Sequence, residues 1–177
     1  MIRILLLVPF AFLIVNVPLS SAALSSVVRQ VVVKKDGSVI KRSVTFAQVP
    51  NHPELFVGRL LQRESASERW GLALFQMDWH KLEMSYIRDL VKTPVRVHGS
   101  AVIANALDPS VAYYHGEYLL AFECAGFPIG ADSVCVAPLN LRDGTIEFAK
   151  MSVPVKSALS TPAVVSREQH SCFASIL

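Results

Sequence analysis

LDPSVAYYHGEYLLAFEC, Leu107 to Cys124, reads as strand, turn, strand. Val111 to Tyr114 is a β-branched and aromatic run. His115-Gly116 is a two-residue connection of the kind that closes a hairpin, with glycine free to take positive φ. In the return strand, Glu117 to Cys124, period two puts Tyr118, Leu120, Phe122 and Cys124 on one face and Leu119 and Ala121 on the other. A strand apolar on both faces belongs to a sheet covered on both sides. Stacked propeller blades are one way to cover a short antiparallel hairpin like this. Asp108 stands just before the first strand. Pro109 biases it towards extended backbone and removes one ladder donor, so the carboxylate is expected at a strand mouth. Ordinary turn chemistry of Asp-Pro-Ser is the alternative.

Downstream, Ala125 to Gly130 reads as a loop, Asp132 to Leu139 as a third strand, Asn140 to Gly144 as a turn and Thr145 to Phe148 as a fourth strand. Together these make a four-stranded antiparallel meander over residues 107–150, the outline of one propeller blade. Thr161-Pro162-Ala163-Val164-Val165 echoes Asp108-Pro109-Ser110-Val111-Ala112, at a spacing near the repeat length of propeller blades.

Upstream, Val27 to Lys34 and Val39 to Val49 flank an Asp36-Gly37 turn and predict an N-terminal hairpin. Pro50-Asn51-His52-Pro53 breaks the chain. Arg59 to Arg69, RLLQRESASER, is polar and reads as a loop or short helical turn. Trp70 to Phe75 is a strand, and Met77 to His80 a turn. Lys81 to Ile87 alternates as a strand, although Leu82, Tyr86, Ile87 and Leu90 also fit helical spacing over Lys81 to Val91.

The chain opens with Met1-Ile2-Arg3, an apolar run from Ile4 to Val17 and the small residues Ser20 to Ala23. This is the pattern of a secretory signal peptide over residues 1–23. The apolar run falls short of the roughly 20 residues that span a bilayer, so membrane contact is expected only during export. A formal charge of +3, without a basic cluster, argues against nucleic acid as a partner. Cys124, Cys135 and Cys172 make an odd count, which in an oxidising compartment leaves one thiol over. Cys124 and Cys135 fall on adjacent predicted strands and are the expected disulfide; three buried free thiols are the alternative. No metal site and no cofactor are expected: there is no Cys-x-x-Cys, phosphate loop, dinucleotide fingerprint, Gly-x-Ser-x-Gly or His-Glu-x-x-His.

Asp-Pro-Ser-Val, a short strand, an X-Gly turn and Glu-Tyr-Leu-Leu-Ala-Phe resemble the opening catalytic blade of five-bladed β-propeller glycoside hydrolases, closest to glycoside hydrolase family 43. The match is strong over about 18 residues and loose over about 70. The resemblance implies that Asp108 is the general base of an inverting hydrolase. In that family the acid is a Glu from a later blade, and Glu117, Glu123 and Glu147 match none of its motif. Trp79, Tyr113 and Phe127, with Trp70, are the aromatics available to stack on sugar rings. A closed five-bladed ring needs roughly 250 to 300 residues. The expectation is therefore an all-β, incomplete propeller of about two to three four-stranded blades over residues 24–177, with missing blades or a partner subunit completing it. Two functions follow: a secreted, catalytically incomplete hydrolase-like protein acting on plant-type carbohydrate, or a non-catalytic glycan- or protein-binding module. A small secreted β-domain unconnected with sugar is a third.

Overall fold

A computed structural model describes residues 31–40, 45–64, 67–97, 99, 101–155, 162–167 and 170–175. The expected signal peptide, Thr161, and the side chains of Phe127 and Cys172 lie outside what is described. Within those bounds the fold is all-β, with a sheet curled into a half-barrel and one short 3-10 turn at Phe148–Lys150.

The first sheet is built from β1 (Val32–Lys35), β2 (Ser38–Val39), β3 (Phe46–Val49), β4 (His52–Glu64), β5 (Ser67–Asp78) and β6 (Glu83–Val91). Its order is β2-β1-β6-β5-β4-β3, antiparallel except where β1 runs parallel to β6. Asp36 and Gly37 both take positive φ (51° and 75°), which a tight two-residue hairpin requires. The return strand from this turn ends at Val39, however. Phe46–Val49 lies at the opposite edge of the sheet and pairs with β4. Arg59 to Glu64 and Ser67 to Arg69 are not loop or helical turn: they are strand, part of the long β4–β5 pairing from Leu55↔Gln76 to Glu64↔Ser67. The Lys81–Val91 ambiguity resolves as strand, because Glu83–Val91 lies along β5.

The second sheet holds β7 (Val95–Arg96), β8 (Val102–Tyr114), β9 (Glu117–Phe127), β10 (Gly130–Asn140) and β11 (Thr145–Ile146), in the order β11-β10-β9-β8-β7, with β12 (Ser152–Val155) paired to β10. The expected meander is present. Boundaries move: Ala125–Phe127 is strand rather than loop, β8 starts well before Asp108, β10 begins at Gly130 rather than Asp132, and the fourth strand stops at Ile146, leaving Phe148 in the 3-10 turn. His115 (φ 48°) and Gly116 (φ 86°) close the β8–β9 turn. A last hairpin, β13 (Pro162–Arg167) with β14 (His170–Ser175), lies against β8 and β9.

The main core lies between the two sheets. Val57, Leu72, Leu74 and Val91 of the first meet Ile103, Val111, Leu120, Phe122, Cys124 and Cys135 of the second. Tyr118, Leu120, Phe122 and Cys124 share that face as their spacing predicts. Ala121 faces the other way, into a smaller cluster with Ala112, Val134 and Val136. Phe75 is the centre of a third cluster, on the outer face of the first sheet. Cys124 and Cys135 form the expected disulfide, with Cα atoms 5.9 Å apart and both residues fully buried.

β8 carries the irregularity that matters most. Ile103, Ala106 and Val111 are all buried in the inter-sheet core, yet they stand three and five residues apart. A regular strand reverses face at every odd step. The register explains how all three stay inside. Ile103 opposes Gly126 and Asn105 opposes Ala125, so Ala104 is extra. Leu107 opposes Glu123 and Ser110 opposes Ala121, so Asp108 and Pro109 share the place facing Phe122. Each β-bulge adds one residue and restores the phase. Gly126 is required at the first bulge, because a Cβ there would stand 1.8 Å from the Val102 carbonyl oxygen.

Candidate functional site

Asp108 is not at a strand entrance. It sits inside a 13-residue strand, at the second bulge, with φ 42°. Asp is among the few non-glycine residues that tolerate this left-handed region. The bulge turns its carboxylate towards the other sheet. Asp108 Oδ1 accepts a hydrogen bond from Thr45 Oγ1 at 2.8 Å and lies 3.5 Å from an Arg59 guanidinium nitrogen. Arg59 opposes Leu72, a core residue, so it belongs to the core-facing side of β4. Its guanidinium lies over the Trp70 ring, 4.6 Å from the centroid. The Arg59 and Asp108 side chains are 20% and 18% exposed. The group is thus a charged centre at the margin of the inter-sheet core, sheltered and still reached by solvent.

A second set of polar contacts fixes its walls. Trp70 N–H donates to Asn105 Oδ1 at 3.0 Å, joining β5 to β8. Thr93 Oγ1 donates to the Trp70 carbonyl, and Thr93 N–H donates to Gln62 Oε1 at 2.9 Å. Gln62 Nε2 in turn donates to the Val91 carbonyl. These bonds satisfy backbone groups where β5 runs past the end of β6, so the sheets are held by side chains where no ladder connects them. A group that both donates and accepts, such as a hydroxyl, can engage this carboxylate–guanidinium–hydroxyl set with charge-assisted bonds.

The other candidates lie elsewhere. Tyr113 is 39% exposed and packs on Tyr118 with centroids 4.8 Å apart. It is five residues along β8 from Asp108, about 15 Å at ~3.3 Å per residue. Trp79 follows the far end of β5 from Trp70, nine residues on, roughly 30 Å of chain. Asp108 and Trp79 therefore do not share a site. Glu117 and Glu147 line a groove of about 300 Å³ at the turn end of β9 and β10 with Arg142, and Glu123 opposes Leu107.

Trp79 lies beside a shallow groove of about 510 Å³ at the β5–β6 turn. Asp78 shapes that turn: its Oδ1 accepts from the backbone N–H groups of His80 and Lys81, and its Oδ2 lies 3.1 Å from Lys81 Nζ. The Lys81 backbone N–H, then its ammonium, holds the Asp78 carboxyl below the usual carboxylate range.

Sequence reading missed Arg59 and Thr45. Arg59 lay in the stretch taken for a loop. The signal that could have found it is the alternation Val57, Arg59, Leu61, which continues the face of a strand. Among the described residues no cluster of three His, Cys, Asp or Glu side chains could hold a metal ion, and no helix is long and apolar enough to cross a membrane.

No protein-family model matches the chain, and comparison with curated proteins and with solved structures finds no match. The site is therefore read from its own chemistry.

The positive φ predicts an ordered mutational series. Asp108→Asn keeps an acceptor for Thr45 and tolerates the left-handed region. Asp108→Ala loses both and leaves Arg59 without this carboxylate. Asp108→Ala is expected to cost about 1–3 kcal/mol in urea unfolding, below the figure for a fully buried broken pair because this one is partly exposed, and Asp108→Asn clearly less. Equal losses would show that the backbone conformation plays no part.

Proposed function

We propose that this chain is a secreted carbohydrate-recognition protein built as part of a β-propeller, with Asp108, Arg59 and Thr45 as its polar centre. The propeller reading is supported by succession. The antiparallel run β3 to β6, with the β1–β2 hairpin added beyond β6, forms one sheet, and the run β7 to β11, with β12 added to β10, forms the next. The β13–β14 hairpin then lies against β8 and β9. β8 packs across β3, β4 and β5 of the first sheet and also meets β13 of the following hairpin, so three successive units meet along one strand. Export is supported by the buried disulfide, since such bonds persist in oxidising compartments.

The observation that carries the functional reading is the position of Asp108: within β8, raised by a bulge, and bonded to Thr45 and Arg59 of the other sheet. The resemblance of Asp108 to a hydrolase general base points to the same residue. Inverting hydrolysis needs a second carboxyl about 6.5–9.5 Å away. Glu117 and Glu147 belong to the turn-end groove instead, and Glu123 lies on the face of β9 opposite to Phe122 and Cys124, so binding without turnover is the favoured form.

The test is incubation with arabinan, xylan and plant cell-wall extract. The protein is expected to be retained on at least one of these polysaccharides and to release little or no reducing sugar. Reducing-sugar release abolished by Asp108→Asn would make the protein an enzyme. Retention on none of them would remove the carbohydrate reading.

A further inference from the structure

We infer that the groove beside Trp79 is a second, independent carbohydrate site that takes an uncharged sugar ring laid flat on the indole. It does not rest on the Asp108 reading. Trp79 is 52% exposed, an unusual position for the largest aromatic side chain. It is nevertheless fixed. Its Nε1–H donates to the Pro53 carbonyl at 3.2 Å, and Phe56 packs against it at a ring-centroid distance of 6.1 Å. Pro53 is itself held, because its carbonyl also accepts from Gln48 Nε2 at 3.1 Å. With its one polar atom occupied, the indole offers the groove an apolar surface and not a donor.

A ring held in advance loses little freedom when a ligand covers it. Its negative π-face attracts the partly positive C–H face of a pyranose, by the quadrupole that governs aromatic contacts generally. The groove also supplies hydroxyl-matching groups. Gln76 and Ser85 are cross-strand partners that line it with His80. Neither Gln76 nor Ser85 makes a side-chain hydrogen bond among the described residues. The charges beside it, Asp78 and Lys81, neutralise each other, which favours an uncharged ligand over a phosphate or a carboxylate. The groove is open and shallow, which suits one face of a polysaccharide chain better than an engulfed metabolite.

Tryptophan fluorescence titration with xylohexaose, cellohexaose and arabinohexaose tests this. A saturable change is expected with at least one of them. In an Asp108→Asn background, which removes the other centre, Trp79→Ala should weaken binding about tenfold or more, the effect of losing a central aromatic anchor, and Trp79→Phe should retain part of it. Gln76→Ala should weaken it to a smaller degree. Binding to Trp79→Ala and Gln76→Ala is read by calorimetry, and unchanged thermal unfolding confirms that both variants are folded. Asp108→Asn should leave the Trp79-dependent signal intact, so failure of one site is distinguishable from failure of the other. No saturable change up to about 10 mM of any of the three, or binding undiminished by Trp79→Ala in the Asp108→Asn background, overturns the proposal.

Discussion

Phe122→Ala is expected to lower unfolding free energy by about 3–5 kcal/mol, the largest effect of any single side-chain truncation considered. Phe122 is fully buried and central to the core that joins the two sheets. It also faces the bulge where Asp108 and Pro109 stand against one residue. An irregular strand cannot easily close over a void, because its backbone is already committed to an extra residue. Relaxation should therefore be small and the cost should lie near the upper end. For a chain of this size the loss corresponds to roughly 6–20 °C in Tm. Asp108 and Arg59 should shift with it, so the variant should lose binding at the Asp108 centre as well as stability. A loss below about 1 kcal/mol in urea unfolding would mean that the sheets do not share this core.

Removing the Cys124–Cys135 bridge is the second large effect. The two residues stand 11 apart in sequence, so the bridge closes a short loop. The chain-entropy relation then gives about 3 kcal/mol. The bond crosses β9 and β10 inside the same core, with both residues at 0% exposure. The paired Cys124→Ser, Cys135→Ser variant should lose that amount and somewhat more, because two hydroxyls replace sulfur in an apolar setting. Alkylation followed by peptide mass spectrometry checks the bridge directly. Cys124 and Cys135 should resist labelling in the folded protein and in the unfolded, unreduced protein, and should label after reduction. Labelling of either without reductant would contradict it.

The legible parts of the fold were those with local causes. The His115-Gly116 and Asp36-Gly37 turns announce themselves because few residue pairs accept two positive φ angles in succession. The face of β9 was legible because Tyr118, Leu120, Phe122 and Cys124 keep strict period two. The disulfide followed from adjacent strands. β8 was harder: Ile103, Ala106 and Val111 break the period, and a bulge has no composition of its own to mark it. That is why Asp108 was expected at a strand mouth. The tip of the β4–β5 hairpin was hidden by its polarity: Gln62, Arg63 and Glu64 pair with Arg69, Glu68 and Ser67 through the backbone, and their composition does not mark a strand. The polar centre was least legible. Thr45 and Asp108 are 63 residues apart, and no local pattern in either stretch points to the other. Trp79 and Asp108, which chemistry alone would group together, are separated because the length of β5 lies between Trp70, beside the Arg59–Asp108 pair, and the turn that carries Trp79.

The central claim is that the Asp108, Arg59 and Thr45 centre binds sugar. Isothermal titration calorimetry with xylo- and arabino-oligosaccharides, on the wild-type protein and on Asp108→Asn in a Trp79→Ala background, isolates that centre from the Trp79 groove. The account predicts saturable binding to the Trp79→Ala protein, weakened about tenfold or more when Asp108→Asn is added, with both proteins folded. Equal affinity with and without the Asp108 carboxylate, or no heat of binding at all, would contradict it.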